Sequence, residues 1–313
     1  MTILLTRSDV ERLLDVDEAL GLLRAGFRSG SDVVTPIRAR TELPGAGTAT
    51  ALLPGLIDGV PAYTVKVNAK FPGARPALRG VVCLHDLADG QLLAMLDSSA
   101  VTAWRTGLAA ALATHELARP DADVVGVIGA GAQATMVIRG LTRLRAVREL
   151  VVHDASPERS VEFPPSRDVP ARVADGARDV AAACGIVVLA TWSRIALLDV
   201  ADVPAGTQVT SLGADEPGKI ELTAALLTAA TTVVDDRVLA ARTGALAATG
   251  LGENDADATF GEVLRGEHHG RASSDEVTVY APVGLPWQDL ALAWSVFHAA
   301  QAQRAGTAID FLA

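Results

Sequence analysis

No stretch of this chain approaches the ~18–20 consecutive apolar residues that a helix needs to cross a bilayer, although half of its residues are hydrophobic. The opening Met1-Thr2-Ile3-Leu4-Leu5-Thr6-Arg7 lacks the basic start and long apolar core of a secretory leader and reads as a short strand before a helix. Cysteine is scarce. Cys83 and Cys184 stand far apart in apolar surroundings, which excludes a disulfide framework and suits buried, reduced thiols in a cytoplasmic protein. Positive charge is in deficit: a formal charge of -10 and a pI of about 5.1 argue against nucleic acid or an anionic membrane as partner. A small anion held by a few local cations stays compatible with that balance. No cluster of His, Cys and acids has metal-ligand spacing, and His268-His269 falls in a polar loop. Neither GxSxG nor a Cys–His arrangement of a nucleophilic hydrolase is present, and there is no internal repeat.

What is present centres on residues 121–154. A β-rich run, Val124 to Ile128, meets the glycine turn Gly129-Ala130-Gly131-Ala132-Gln133-Ala134. An amphipathic segment with Val137, Ile138, Leu141 and Leu144 follows, then a second apolar run, Leu150 to Val152, ending in His153-Asp154. Strand, glycine turn, helix, strand and acid is the dinucleotide-binding βαβ pattern. Gly129 permits the turn, Gly131 lets backbone approach a pyrophosphate, and Ala134 lets the helix lie close to the strand. The amides and positive dipole at the helix start hold phosphate. Asp154 would accept hydrogen bonds from a ribose 2′-hydroxyl and repel a 2′-phosphate, which favours NAD(H) over NADP(H), with Arg159 nearby to moderate the preference. The bare motif is also met in ordinary α/β turns; the flanking strand, helix and acid carry the argument.

Upstream, Ser8-Asp9-Val10-Glu11 and Asp15-Val16-Asp17-Glu18 each fit a capping box, and the second helix should bury Leu20, Leu23 and Phe27 and stop at Gly30. Short strands are expected at Ile37–Thr41, Thr48–Leu53, Ala62–Ala69, Leu78–His85 and Leu92–Leu96, forming an antiparallel sheet. An alanine-rich helix spans Ser98 to Leu117, and Arg119-Pro120-Asp121 is the natural junction. Beyond Asp154, prolines 157, 164, 165 and 170 imply a short or irregular crossover. Alternating strands and helices then resume: strands Ala171–Val173, Ile186–Thr191, Gln208–Leu212, Thr232–Asp235 and Glu276–Tyr280, with a helical pair running through Arg265. A last helix, Trp287 to about Arg304, and the strand Ala308–Leu312 return to the N-terminal part.

Four places carry polar groups that a core would not choose. Lys66 alternates with Val65 and Val67 in an apolar strand, so it faces either a ligand or solvent. Arg105 sits mid-helix among small residues that leave room for a ligand, or else lies on the surface. Arg38 and Arg40 share one strand face by the period of two. Asp215 follows the strand Gln208–Leu212, where ligands of open α/β sheets bind; a turn or cap before Pro217 is the alternative. As a set they are coherent: arginine recognises a carboxylate bidentately, and lysine and aspartate move protons while hydride passes between Cα and a nicotinamide.

With these residues assembled, the chain resembles the ornithine cyclodeaminase/mu-crystallin family over nearly its whole length. The likeness is carried by Lys66-Val67-Asn68 with Phe71-Pro72-Gly73, Ala103-Trp104-Arg105-Thr106, and Ile128 through Ala134. To these add Gly213 through Leu222, Val234-Asp235-Asp236, and Val283-Gly284-Leu285 with Gln288-Asp289. The resemblance implies a Rossmann-type doubly wound parallel sheet for NAD in residues 119–299, and a second α+β domain for substrate binding and dimerisation in 1–118 and 300–313. It implies a homodimer, with Asp215 and Lys66 catalytic and Arg38, Lys66 and Arg105 on the substrate. Arg105, Gly129, Ala130, Gly131, Ala132, Gln133, Asp154, Thr191, Leu212 and Lys219 would bind cofactor. No metal is implied. Cyclodeaminases of ornithine carry a glutamate where Ala51 stands here, Gly80 and Pro282 replace hydroxyl residues near the cofactor, and the 157–170 stretch shortens a family helix. The expectation is an NAD(H)-dependent oxidoreductase acting at the Cα of a small L-amino acid or its imine. The alternatives are ornithine cyclodeaminase proper and a non-catalytic, crystallin-like nucleotide binder.

Overall fold

Residues 1–29, 37–44, 47–71, 74, 76–163, 169–311 and 313 are described by the computed structural model, and the chain falls into two units, Met1–Arg105 with Leu285–Ala313, and Thr106–Gly284. In the first, β1 (Thr2–Leu5) leads into α1 (Arg7–Leu13) and α2 (Val16–Ser29). The cap of α1 is Thr6 rather than Ser8. Its hydroxyl accepts the Asp9 amide and Asp9 accepts the Thr6 amide at 3.0 Å, so the reciprocal pair forms two residues earlier than expected. Asp15 caps α2 by accepting the amides of Asp17 and Glu18 at 2.9 and 3.0 Å, and Leu20, Leu23 and Phe27 are buried. Gly30 lies outside the described residues, as do Pro72-Gly73, Pro164, Pro165 and Leu312.

Strands β2 (Ile37–Glu42), β3 (Thr48–Gly55), β4 (Ala62–Lys70), β5 (Leu78–Asp86) and β6 (Leu92–Asp97) run as the expected antiparallel meander, and β1 joins β6 in parallel. Register decides which side chains share a face. Arg38, Leu52, Lys66 and Val82 lie opposite one another, and Arg40, Thr50, Asn68 and Gly80 form the next row on that side. Along β4, Ala62, Thr64, Lys66 and Asn68 are buried, whereas Val67 on the other side is exposed.

Helix α3 (Ser98–Leu117) crosses from one unit to the other between Arg105 and Thr106. In the second unit, β7 (Val124–Ile128), α4 (Ala132–Leu144) and β8 (Glu149–His153) form the central βαβ. The proline-rich crossover contains a short helix, α5 (Pro157–Glu162), capped by Ser156 with Pro157 in its first turn, where proline costs no hydrogen bond. Strand β9 (Ala171–Val173), α6 (Ala177–Ala183), β10 (Ile186–Leu189), β11 (Gln208–Ser211), α7 (Ala224–Ala229) and β12 (Thr231–Val234) follow. In place of a helical pair there are three short helices, α8 (Arg237–Thr243), α9 (Ala245–Thr249) and α10 (Phe260–Arg265), with a two-residue strand β13 (Ala258–Thr259) before the last. Strand β14 (Thr278–Tyr280) then inserts between β11 and β12, giving the parallel order β13-β12-β14-β11-β10-β7-β8-β9. Strands β10 and β11 are buried along their whole length, which is why they lack alternation: helices cover both faces of such a sheet.

The chain returns to the first unit through Gly284, whose φ of +94° favours glycine. Buried Asp235 fastens this corner by accepting the amides of Val283 and Gly284 at 3.0 and 2.6 Å. Burial pushes its carboxyl up despite those bonds. Helix α11 (Pro286–Gln303) lies across β3, β4, β5 and α2, and β15 (Thr307–Ile309) pairs antiparallel with β1. Gly26 permits the approach of α2 to α11, since a Cβ there would lie 2.3 Å from the Trp287 ring, and Phe27 meets that ring edge-on at 4.9 Å. The two units join in sequence at 105/106 and 284/285. The reason is packing: Ala110 and Ala111 of α3 belong to the core under β7 and α4, and all of α11 serves the meander.

Within the second unit α3 and α4 touch through small residues. A Cβ on Gly140 would lie 2.6 Å from the Ala111 methyl and 3.0 Å from Leu108 Cδ2. Gly140→Leu should cost about 1–3 kcal/mol by overpacking, read as a lower midpoint in urea unfolding; an unchanged midpoint would mean that the helices part freely.

Candidate active site

The carboxyl ends of β7, β8, β10 and β11 stand side by side, tied by Gly129 N–H to His153 O at 2.8 Å, Ala190 N–H to Ile128 O at 2.9 Å and Leu212 N–H to Leu189 O at 2.8 Å. The two glycines of the turn differ in kind. Gly129 has φ +93°, and a Cβ on it would meet Ala190 O at 2.6 Å and Thr191 Cγ2 at 2.9 Å, so the fold itself requires glycine. Gly131 has φ -103°, open to any residue, and a Cβ there would meet nothing within 4 Å. The free space beside Gly131 lies at the start of the 13-residue α4, whose first-turn amides carry no side-chain cap. That is a cradle that a side chain would fill and a pyrophosphate fits.

Asp154 stands where the motif places it. It accepts Ala130 N–H and Ser156 N–H, both at 2.8 Å, while its own amide donates to buried Ser160 at 2.7 Å. The Ala130 amide is therefore committed to fixing the acid, which leaves Gly131, Ala132 and Gln133 for phosphate. Arg159 is exposed on α5.

Beyond β10 and β11, Thr191 and Leu212 are set by a residue that sequence reasoning had given no task, Glu221. Wholly buried, it accepts Thr191 N–H and Oγ1–H at 2.7 Å each, Ser211 Oγ–H at 2.7 Å and Gly213 N–H at 2.8 Å. Burial pushes its carboxyl up, and the four donors pull the other way. Its signal was an acid between two apolar residues, Ile220 and Leu222. Asp215, on the loop below, lies 3.0 Å from Lys219 Nζ. The same ammonium lies 2.9 Å from Glu216 and 4.1 Å from the centroid of the half-exposed Trp192 ring. Burial works against the Lys219 charge, yet Asp215 and Glu216 together keep its pKa raised. Trp192 had not been singled out.

In the first unit Lys66, 1% exposed, points to the side of the sheet where Asp289 of α11 stands, so it is no solvated strand face. Its Nζ is 2.7 Å from the Asp289 carboxylate and 3.4 Å from Thr102 Oγ1. Arg105, 5% exposed, is no surface arginine either: Nε lies 3.3 Å from Asp289 and Nη1 donates to Gln288 Oε1 at 3.1 Å. Burial, then the charges of Arg105 and Arg38, push Lys66 down to about 7, against the pull of Asp289. Arg38 thus shares the neighbourhood as well as the face. The small residues beside Arg105 do not leave room for a ligand at Gly107, where a Cβ would lie 2.3 Å from Met136. Asp289 is the acid missed here, because one carboxylate on a long helix reads as surface. Among the described residues no group of His, Cys, Asp and Glu could hold a metal ion, and no helix is long and apolar enough to cross a membrane.

The family model for ornithine cyclodeaminase and mu-crystallin matches residues 1–304. The chain belongs to the ornithine cyclodeaminase/mu-crystallin family. Among members of this family, it is 31% identical over 321 residues to an alanine dehydrogenase of Archaeoglobus fulgidus, spanning 99% of this chain and 98% of that one. Its fold superposes on an archaeal alanine dehydrogenase dimer with bound NAD at a TM-score of 0.92 and 30% identity, covering 99% of both chains. It matches the Δ1-pyrroline-2-carboxylate reductase of Thermococcus litoralis, in complex with NADH and L-proline, at 0.92 and 25% identity, covering 98% of this chain and all of that one.

Because Gly131 is not demanded by its own backbone, Gly131→Ala should keep or slightly raise the melting temperature while weakening retention of a dinucleotide roughly tenfold or more, about 1.4 kcal/mol. Fluorescence titration reads the affinity; equal binding by variant and wild type would show that nothing passes beside Gly131.

Proposed function

We propose that this chain is an NAD(H)-dependent oxidoreductase acting at the Cα–N bond of a small amino acid with one carboxylate, or of the corresponding imine. The observation that carries the reading is the pair of buried cations Lys66 and Arg105, with the half-buried Arg38 on the same sheet face, in a chain whose other unit holds the Gly131 cradle beside Asp154. NAD, when bound, would accept hydride from Cα or return it there. Gly131, Ala132 and Gln133 would hold its phosphates and Asp154 its ribose; an acid fixed by two amides disfavours the 2′-phosphate of NADP. Arg38 and Arg105 would orient the substrate carboxylate, and Arg105, Thr191, Leu212 and Lys219 would line the cofactor. Lys66, poised near neutrality, would move a proton at the substrate nitrogen, and Asp215 would exchange one with the amine or with attacking water.

Dehydrogenase or imine reductase is preferred to cyclodeaminase on a specific ground. A diamino substrate needs a carboxylate for its distal amine. Among the described residues of the first unit, Asp289 is the one buried acid, and it is committed to Lys66 and Arg105. Ala51, at the position of the family glutamate, lies opposite Ala39 and Val67, on the face away from Lys66.

That same face supports a homodimer. Helices cover the Lys66 side of the meander, whereas the other side presents Ile37 and Val67, each about half exposed at 55% and 51%. The archaeal neighbour is described as a dimer. Val67→Glu should shift the chain toward monomer in light scattering; an unchanged mass would place the contact elsewhere.

The reading is tested with NAD⁺ and a panel of L-amino acids, following NADH and released ammonia, and with NADH and cyclic imines or oxo acids plus ammonium. NADH with an oxo acid supports it, whereas proline from ornithine without net NADH would make the chain a cyclodeaminase. Asp215→Asn should lower kcat by about 10²–10⁴ with NAD affinity retained. Absence of turnover on the whole panel would leave a nucleotide-binding protein without catalysis.

A further inference from the structure

Lys66 and Arg105 come from a strand and a helix far apart in sequence, and what joins them is a carboxylate from a third element. We infer that Asp289 is a positioning residue: shared between Lys66 Nζ and the Arg105 guanidinium, it fixes both cations and keeps the Lys66 ammonium available as proton source for the substrate nitrogen. This rests on the oxidoreductase reading above.

The geometry argues for it in three ways. Asp289 lies 2.7 Å from Lys66 and 3.3 Å from Arg105 Nε, and its neighbour Gln288 takes Arg105 Nη1 at 3.1 Å. Two consecutive residues at the start of α11 therefore hold the guanidinium at both ends. Gln288 in turn accepts the Leu285 amide at 3.4 Å, which ties the pair to the helix entrance. Secondly, the charges facing Lys66 are Arg38 from β2, Arg105 from α3 and Asp289 from α11; the opposing Leu52 of β3 and Val82 of β5 bring none. Without Asp289, burial and two arginines would all act against the ammonium. Thirdly, a single carboxylate serves both buried cations, so displacing it acts on Lys66 and Arg105 together. In the reductive direction the Lys66 N–H bond breaks as a bond to the C=N nitrogen forms, while Cα takes hydride from NADH. In the oxidative direction the substrate amine gives its N–H proton to neutral Lys66 as hydride leaves Cα for NAD⁺.

The chain's lysines are Lys66, Lys70 and Lys219, so NMR of the whole protein labelled at lysine Cε gives a spectrum assignable with Lys66→Met. Lys66 should titrate near 7 in the wild type. In Asp289→Asn its titration should move down by about one pH unit or more, and the pH profile of kcat/KM, with L-alanine and NAD⁺ or pyrroline-2-carboxylate and NADH, should move with it. Asp289→Glu keeps the charge but displaces it: the Lys66 titration should stay near that of the wild type while kcat falls on the order of tenfold or more and KM changes little. The glutamate variant decides the matter alone if the asparagine variant does not fold. A Lys66 titration unmoved in Asp289→Asn, or wild-type kcat in either variant, would overturn the inference. Should the wild type turn over no substrate of the whole panel, the oxidoreductase reading fails, and the NMR titration still judges the link between Asp289 and Lys66.

Discussion

Cations gathered on the covered side of a sheet repel one another and lose their hydration, so the first unit depends on the counter-charge that Asp289 brings. An ammonium and a guanidinium that are 1% and 5% exposed would otherwise carry several kcal/mol of desolvation each. The arrangement is not a device for stability; apolar side chains in the same volume would serve that end as well. The meander supplies rows of side chains, α3 delivers Arg105, and α11 both seals the face and neutralises part of it.

The second unit uses buried acids differently. Glu221 and Asp235 make no ion pair in which a cation is moved; each gathers backbone amides and hydroxyls at the ends of strands. Glu221 joins the end of β10 to the end of β11, so the loops bearing Thr191 and Asp215 are shaped by a single side chain. Asp235 does the same for the corner at Val283 and Gly284. A parallel sheet leaves its carboxyl ends without neighbours to pair with, and a carboxylate with four lone-pair sites closes that gap compactly.

The central βαβ was legible because its signals are local: fully apolar strands, a turn with Gly129, and an acid at the end of β8. The meander was legible for the same reason, strand by strand. What period-two alternation could not give was the direction of Lys66, since two faces alternate identically until something covers one of them. The cover, α11, lies more than two hundred residues away. Thr6 took the cap expected of Ser8, because Thr6 and Asp9 have the same three-residue spacing and exchange bonds in both directions. Gly107 looked like an opening for a ligand, yet its missing side chain is occupied by Met136. Asp289 was invisible as a functional group, because an acid on a long helix is normally solvated, and the one sign for Glu221 was its place between apolar Ile220 and Leu222.

Lys66 and its counter-ion are 223 residues apart. On a ribosome the strand bearing the lysine is therefore made long before α11, and β1 waits still longer for β15 at the opposite terminus. Throughout that interval the face that bears Lys66 is an uncovered amphiphilic surface, and closing it requires long loops rather than local contacts, the slow and aggregation-exposed regime of folding. The central βαβ has no such delay. Closure of the Lys66 face is thus set by synthesis of α11 and β15, and loss of these two elements would strike the first unit before it touched the parallel sheet of the second.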